Sequence, residues 1–273
     1  MSEFYTRGGR SGFVSAGKSE IHFRIDGAEN DKWIVLSNSL GSNLTMWDEQ
    51  VELLTRKFCV LRYDTRGHGQ SSTPAGPYRF SDLCSDVIQL LDHLGIGSAV
   101  FMGLSLGGMT GLGLGLECPD RIKKIVCADG RADAPETFRK MWDERIAAVR
   151  SGGLQAILDG TINSWFTKEW IDTNPDRVAV IRKMVLSTDP VGYVNCCLAL
   201  KELNYFKDLP QISVPVLYVG GDQDKGASPE VMKDMAKATP NAKYLSVQNA
   251  AHLANINSAA DFNRSVSDFL GLA

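Results

Sequence analysis

The chain has 273 residues, 44% hydrophobic and 22% charged, with 29 basic against 32 acidic residues and a formal net charge of −3. That length and apolar fraction suit one large α/β domain, with or without an insertion, and the charge balance leaves no electrostatic footprint for nucleic acid. No apolar run reaches the roughly 18 residues of a bilayer span, and residues 1–12 lack the apolar core of a signal peptide; the expectation is a cytoplasmic chain with no membrane partner and a flexible lead-in over 1–12.

Short β-rich segments come first, over 20–25, 33–37 and 58–62. A helix is predicted over 81–94, where Leu83, Val87, Leu90, Leu91 and Leu94 share one face at helical spacing, with Ser81 as N-cap and Gly95 as stop. A strand over 99–102, a small-residue helix over 107–116 and a strand over 122–128 follow. Strands separated by helices argue a mostly parallel sheet with helices on both faces. From 135 to 206 the pattern is helical, with Trp142, Trp165 and Trp170 inside it and no strand-like run. That stretch reads as a helical cap inserted into a core made of 13–134 and 207–273. The alternation resumes with a strand over 214–219, a helix over 229–238 and a strand over 243–247. A last helix carries Phe262, Val266, Phe269 and Leu270 on one face.

The six cysteines include no C-x-x-C pair, and several sit in apolar runs, as reduced buried thiols do. The four histidines, His22, His68, His93 and His252, show no metal-ligand spacing, so no metal is expected. Gly111, Gly113 and Gly115 fail the dinucleotide pattern, because 116 is leucine and 118 is cysteine; helix packing against the sheet explains them, and no cofactor is expected.

The chemistry is concentrated in Gly103-Leu104-Ser105-Leu106-Gly107, a G-x-S-x-G between the predicted strand and helix. A serine on so tight a turn projects its hydroxyl out of the sheet, and the Leu106 N–H points to where an oxyanion would form. In such an architecture the partners follow in chain order, acid and then histidine. His252, in the small-residue loop Asn249-Ala250-Ala251-His252-Leu253, is the only histidine downstream of Ser105 and reads as the base. Three acids compete: Asp224, Asp222 and Asp129. Asp222 follows two glycines and reads as a turn former, so Asp224 is preferred. The second oxyanion donor is expected from Asn38-Ser39-Leu40-Gly41, at the Leu40 N–H. His68, in Asp64-Thr65-Arg66-Gly67-His68-Gly69, precedes the serine and reads as a turn stabiliser rather than a second base.

With these residues in place the chain resembles the α/β-hydrolase superfamily and, within it, the 3-oxoadipate enol-lactonases. The resemblance runs from about residue 13 to the end. It rests on the serine motif, the Arg-Gly-His-Gly turn and the Asn-Ser-Leu-Gly loop with Trp47. It rests further on Trp142-Asp143-Glu144-Arg145-Ile146, Trp165-Phe166, Gly192-Tyr193 with Cys196-Cys197, and Ala251-His252-Leu253-Ala254-Asn255. It implies an α/β-hydrolase fold, a Ser105–Asp224–His252 triad, and a small carboxylate-bearing lactone opened through an acyl-enzyme without cofactor or metal. Gly221-Asp222-Gln223-Asp224 fits the family's G-x-x-D.

The chain departs from the family at Lys201-Glu202, at Ala128-Asp129-Gly130-Arg131 and in a longer acid loop. Lys201 and Arg131 are the expected carboxylate partners, with Trp142 in the pocket wall. Other readings on the same triad are a carboxylesterase, a perhydrolase or a C–C bond hydrolase; a reading of another class is a non-catalytic ligand receptor.

Overall fold

Branched and aromatic residues build one eight-stranded sheet in the computed structural model, which describes residues 9–28 and 32–272. The strands are β1 (Arg10–Ala16), β2 (Ser19–Asp26), β3 (Trp33–Ser37), β4 (Cys59–Tyr63), β5 (Ala99–Leu104), β6 (Ile122–Ala128), β7 (Val216–Gly221) and β8 (Ala242–Val247). Across the sheet their order is β1-β2-β4-β3-β5-β6-β7-β8. β1 pairs antiparallel with β2 and β2 with β4; every pairing from β4 to β8 is parallel. The C-terminal ends of the parallel strands therefore open on one edge, where ligand sites of such sheets form.

The helices are α1 (Asp48–Leu54), α2 (Phe80–His93), α3 (Leu106–Glu117), α4 (Glu136–Gly152), α5 (Leu158–Trp165), α6 (Lys168–Thr173), α7 (Pro175–Leu186), α8 (Pro190–Lys201), α9 (Pro229–Ala238), α10 (Ala254–Asn257) and α11 (Ala259–Leu270). The sheet's period of two sends alternate residues to opposite faces. Leu36, Val126 and Leu217 pack with Leu54 of α1 and Phe262 and Val266 of α11. Val35, Cys127 and Tyr218 pack with α2, α3 and α9 on the other side. Each fully buried side chain of this kind contributes about 1.5 to 3 kcal/mol. The glycines of α3 let it lie close to the sheet: a Cβ on Gly111 would stand 2.8 Å from the Phe101 ring, and one on Gly115 2.6 Å from Ile125.

Two expectations change at the N-terminal side. Residues 10–12 of the expected lead-in belong to β1, with Gly12 paired to Phe23; residues 1–8 lie outside the described residues. This is an edge strand with Phe13 turned to solvent, so its sequence lacks the continuous apolar run of the inner strands. The helix α2 starts at Phe80 rather than after Ser81, because the Asp82 carboxylate reaches back 2.8 Å to the Arg79 N–H.

The five helices α4 to α8 separate β6 from β7. The chain leaves and re-enters the sheet layer through a bridge between Asp133 and Asn204, reinforced by Tyr205 N–H to the Ala132 carbonyl at 2.7 Å. All six cysteines are free thiols, five of them buried. Among the described residues no helix is long and apolar enough to cross a membrane.

Candidate active site

Ser105 stands between β5 and α3 with φ 55° and ψ −116°. That backbone is costly for a residue with a Cβ and is held by its surroundings. Its N–H reaches the Ala128 carbonyl at 2.8 Å, and its carbonyl accepts from Met109 at 2.9 Å. The turn closes because residues 103 and 107 are glycine: a Cβ on Gly103 would lie 2.2 Å from the Gly107 carbonyl carbon, and one on Gly107 2.2 Å from the Ser37 carbonyl oxygen.

The loop after β3 lies against this turn, joined by Gly107 N–H to the Asn38 carbonyl at 3.0 Å. It carries Leu40, and among the described residues no protein acceptor takes the N–H of Leu40 or of Leu106. Gly41, at φ 80°, donates its N–H to His68 Nε2 at 2.9 Å. That nitrogen therefore carries no proton, and His68 Nδ1–H donates to the Arg66 carbonyl at 3.1 Å. Burial pushes the His68 imidazole below its ordinary value, which keeps it neutral. The expected turn stabiliser thus has a definite task, tying the Leu40 loop to the Arg66 turn, and Arg66 is itself clamped by two bonds of 2.6 and 2.7 Å to Asp86.

His252 Nδ1 meets Asp224 Oδ2 at 2.8 Å. Burial pushes the Asp224 carboxyl up, but the facing His252 and the N–H groups of Gly226 and Ala227 outweigh it and hold the carboxyl below its ordinary value. An ionised Asp224 makes Nδ1 the donor and leaves Nε2 free to accept a proton. The His252 loop is pinned on both sides. Asp222 Oδ1 accepts from Ala250 N–H at 3.1 Å, so this residue braces the loop as well as turning the chain. Asn257 Oδ1 accepts from Ala251 N–H at 2.9 Å and from Thr167 N–H at 3.0 Å, and Leu253 N–H reaches the Trp165 carbonyl at 3.0 Å. The helices inserted between β6 and β7 thereby share hydrogen bonds with the histidine loop.

The third acid, Asp129, stands at the end of β6 with φ 44° and no solvent exposure. Its Oδ1 accepts from Gly221 N–H at 2.8 Å, and it makes no bond to His252.

Ser105, His252, Asp224, Asp129 and Leu40 line one cavity of about 530 Å³, whose far wall is built from the inserted helices. Trp142 of α4 lies in that wall, edge-on to Phe138. Arg131 lines the cavity too, but its guanidinium is engaged by the Gly226 carbonyl at 2.9 Å and Asp133 Oδ1 at 3.1 Å, and lies over the Phe138 ring. Lys201 is not in the cavity. It pairs with Asp143 and borders a separate depression beside Pro77 and Glu202. The reason is helical geometry: Leu200 lines the cavity, and the next residue on α8 is turned about 100° away from it.

The residue missed by sequence reasoning is Arg145. It lies in the cavity wall on α4, donates from Nε to Tyr193 Oη at 2.5 Å and from Nη2 to Thr161 Oγ1, and faces the rings of Trp142 and Tyr193. Among the described residues no carboxylate pairs with it. Its place in Trp142-x-x-Arg145, one helical turn from a residue expected in the wall, was the available signal.

The sequence matches the profile described as "alpha/beta hydrolase fold" over residues 32–174 and 176–259. It is 38% identical to 3-oxoadipate enol-lactonase 2 of Acinetobacter baylyi over 90% of this chain and 91% of that one, and 33% identical to enol-lactonase 1 of the same organism over 92% of each. Among solved structures it superposes on the enol-lactonase from Burkholderia xenovorans LB400 with a TM-score of 0.91 and 39% identity, covering 95% of this chain and 100% of the other.

Proposed function

The chain belongs to the alpha/beta hydrolase family, and on that premise we propose that it is a serine hydrolase that opens a small carboxylate-bearing lactone, 3-oxoadipate enol-lactone, to 3-oxoadipate. The observation that carries this reading is the joint presence, on one cavity, of the strained Ser105, the His252–Asp224 pair at 2.8 Å and Leu40, whose N–H, like that of Leu106 next to the serine, has no protein acceptor among the described residues. The enol-lactonases at 33% and 38% identity over nine-tenths of the chain support the substrate.

Ser105 Oγ attacks the lactone carbonyl while His252 Nε2 takes its proton and Asp224 holds the imidazolium. The Leu40 and Leu106 N–H groups receive the oxyanion, each worth about 3 kcal/mol. Collapse breaks the ring C–O bond, and His252 returns the proton to the departing enol oxygen. The enol ketonises, which removes the nucleophile that would close the ring again. A water activated by His252 then releases the acid from Ser105. Arg145, a cation in the wall that has no carboxylate partner among the described residues, supports recognition of the substrate's free carboxylate. Its planar donors suit that group.

Steady-state turnover of the enol-lactone, followed beside a neutral aryl ester, tests the proposal. The expected result is a higher kcat/KM for the lactone, with covalent labelling of Ser105 by a fluorophosphonate. Fast ester turnover with none of the lactone would make the protein a general esterase. Absence of both turnover and labelling would leave a ligand receptor.

A further inference from the structure

Asp129 is a buried ionisable group that the mechanism above does not use. Oδ1 accepts from the Gly221 N–H and the Ala254 N–H also faces the carboxyl, but Oδ2 is sealed from solvent with no hydrogen-bond partner. Among the described residues no cation pairs with this carboxyl. The titratable groups packed around it are the Asp224 carboxylate from the loop after β7, the Cys127 thiol from β6 and the Tyr244 hydroxyl from β8; His252 lies beyond Asp224. An ionised carboxylate here would be buried, unpaired and beside a second carboxylate. Each of those conditions penalises the charge, and such groups respond by staying protonated. Burial first, and the Asp224 charge second, push the Asp129 carboxyl well above its ordinary value.

A protonated Asp129 has one new donor, and the orphaned Oδ2 is the atom free to carry it. Asp224 is the side-chain hydrogen-bonding neighbour of this carboxyl. Asp224 itself accepts at Oδ1 from Gly226 N–H at 2.8 Å, at Oδ2 from His252 Nδ1 at 2.8 Å, and from the Ala227 N–H, which leaves one of a carboxylate's roughly four acceptor sites for a further donor.

We propose that Asp129 is kept as a neutral carboxylic acid whose Oδ2–H donates to the Asp224 carboxylate, making the acid of the triad one half of a proton-sharing pair. This rests on the reading of Asp224 as the triad acid. Asp129 is a positioning residue: it fixes the Asp224 carboxylate and spreads its charge without placing a second negative charge near His252. The chain holds one proton in the pair across the working range, and losing it at high pH would set two like charges against each other.

Infrared difference spectra of wild type against Asp129→Asn at neutral pH test the protonation state without any turnover. The expected result is a carboxylic-acid carbonyl stretch in wild type that the variant lacks; a difference confined to carboxylate stretches overturns the proposal. Asparagine keeps an N–H donor and tolerates the left-handed backbone of position 129. If that variant does not fold, Asp224→Asn serves instead. With the Asp224 charge removed, the wild-type acid band should persist at neutral pH but vanish at a lower pH than before, and an unmoved midpoint overturns the pairing.

Kinetics supply the second readout. Asp129→Ala should lose about 10- to 100-fold in kcat, the worth of a hydrogen bond to a charged group, and Asp129→Asn should recover most of it. The acid limb of the kcat/KM profile should stay where it is in Asp129→Asn. A fall of that limb by about one pH unit is what removal of a negative charge beside the Asp224–His252 pair would produce, and it would overturn the neutral state. Failure of the hydrolase reading is distinguishable: it would appear as absence of turnover and of fluorophosphonate labelling in wild type, with the infrared band untouched.

Discussion

The Ser105 end of the cavity is held by backbone, whereas the Arg145 end is held by side chains. At the first end, strand termini and tight turns place Ser105, Leu40, Leu106 and Asp224, and the fixing bonds are main-chain ones such as Ser105 N–H to Ala128 and Gly107 N–H to Asn38. At the second, Arg145 of α4, Thr161 of α5 and Tyr193 of α8 meet only because three helices pack together. Chemistry and specificity are therefore expected to be separable: the proposed reacting groups sit on main-chain turns, and a substitution in the helical wall should change the ligand while leaving those turns in place.

The sharpest way to break this division is at the frame. Ser105→Ala should lower kcat by about 10⁴ to 10⁶ with the circular dichroism spectrum unchanged. More than a tenth of wild-type turnover in a folded variant would remove the serine from the mechanism. Asp224→Asn should cost about 10³ to 10⁴, through loss of the histidine's orientation. Asp222→Asn keeps an oxygen for Ala250 N–H and should change the rate only a few-fold; an exchange of these two results would move the acid to position 222.

The wall is tested by Arg145→Met. It should reduce kcat/KM for a carboxylate-bearing lactone by about 10- to 100-fold while sparing a neutral ester, since a charge-assisted bond is worth about 1.5 to 3 kcal/mol. Equal losses on both substrates would mean that Arg145 only braces Thr161 and Tyr193. Lys201→Met, outside the cavity, should leave that preference in place, and its loss would reverse the assignment of the two cations.

The smallest effect concerns stability and pH. Asp129 has a folded-state pKa above its unfolded value, so the folded chain binds more protons than the unfolded one between the two. The stability contributed by that proton is complete below the ordinary carboxylate range and is lost as pH rises through the raised value. Asp129→Asn does not titrate, so its Tm relative to wild type should climb as the pH rises above the ordinary carboxylate range and through the raised value. A gap that shrinks with rising pH would mean that Asp129 is stabilised as an anion.

Much of this was legible in the chain itself. G-x-S-x-G between a strand and a helix, a single downstream histidine and an acid loop between them specify the frame, because each depends on local turns and on chain order. The inner strands were equally clear, since residues buried on both faces write continuous apolar runs. β1 was hidden because an edge strand with one wet face carries a weaker pattern. Long-range contacts were hidden for a different reason. The side-chain directions of Lys201 and Arg145, the bond from Gly41 to His68 and the approach of Asp129 to Asp224 all depend on elements far apart in sequence. The fold class, and the chain order of the serine, acid and histidine proposed to react, could be read from the residues alone, because periodicity and turn chemistry are local. Packing was needed to show that Lys201 lies outside the cavity, that Arg145 lines it, and that Asp129 has no counter-charge among the described residues, because burial and electrostatic pairing belong to the packed whole.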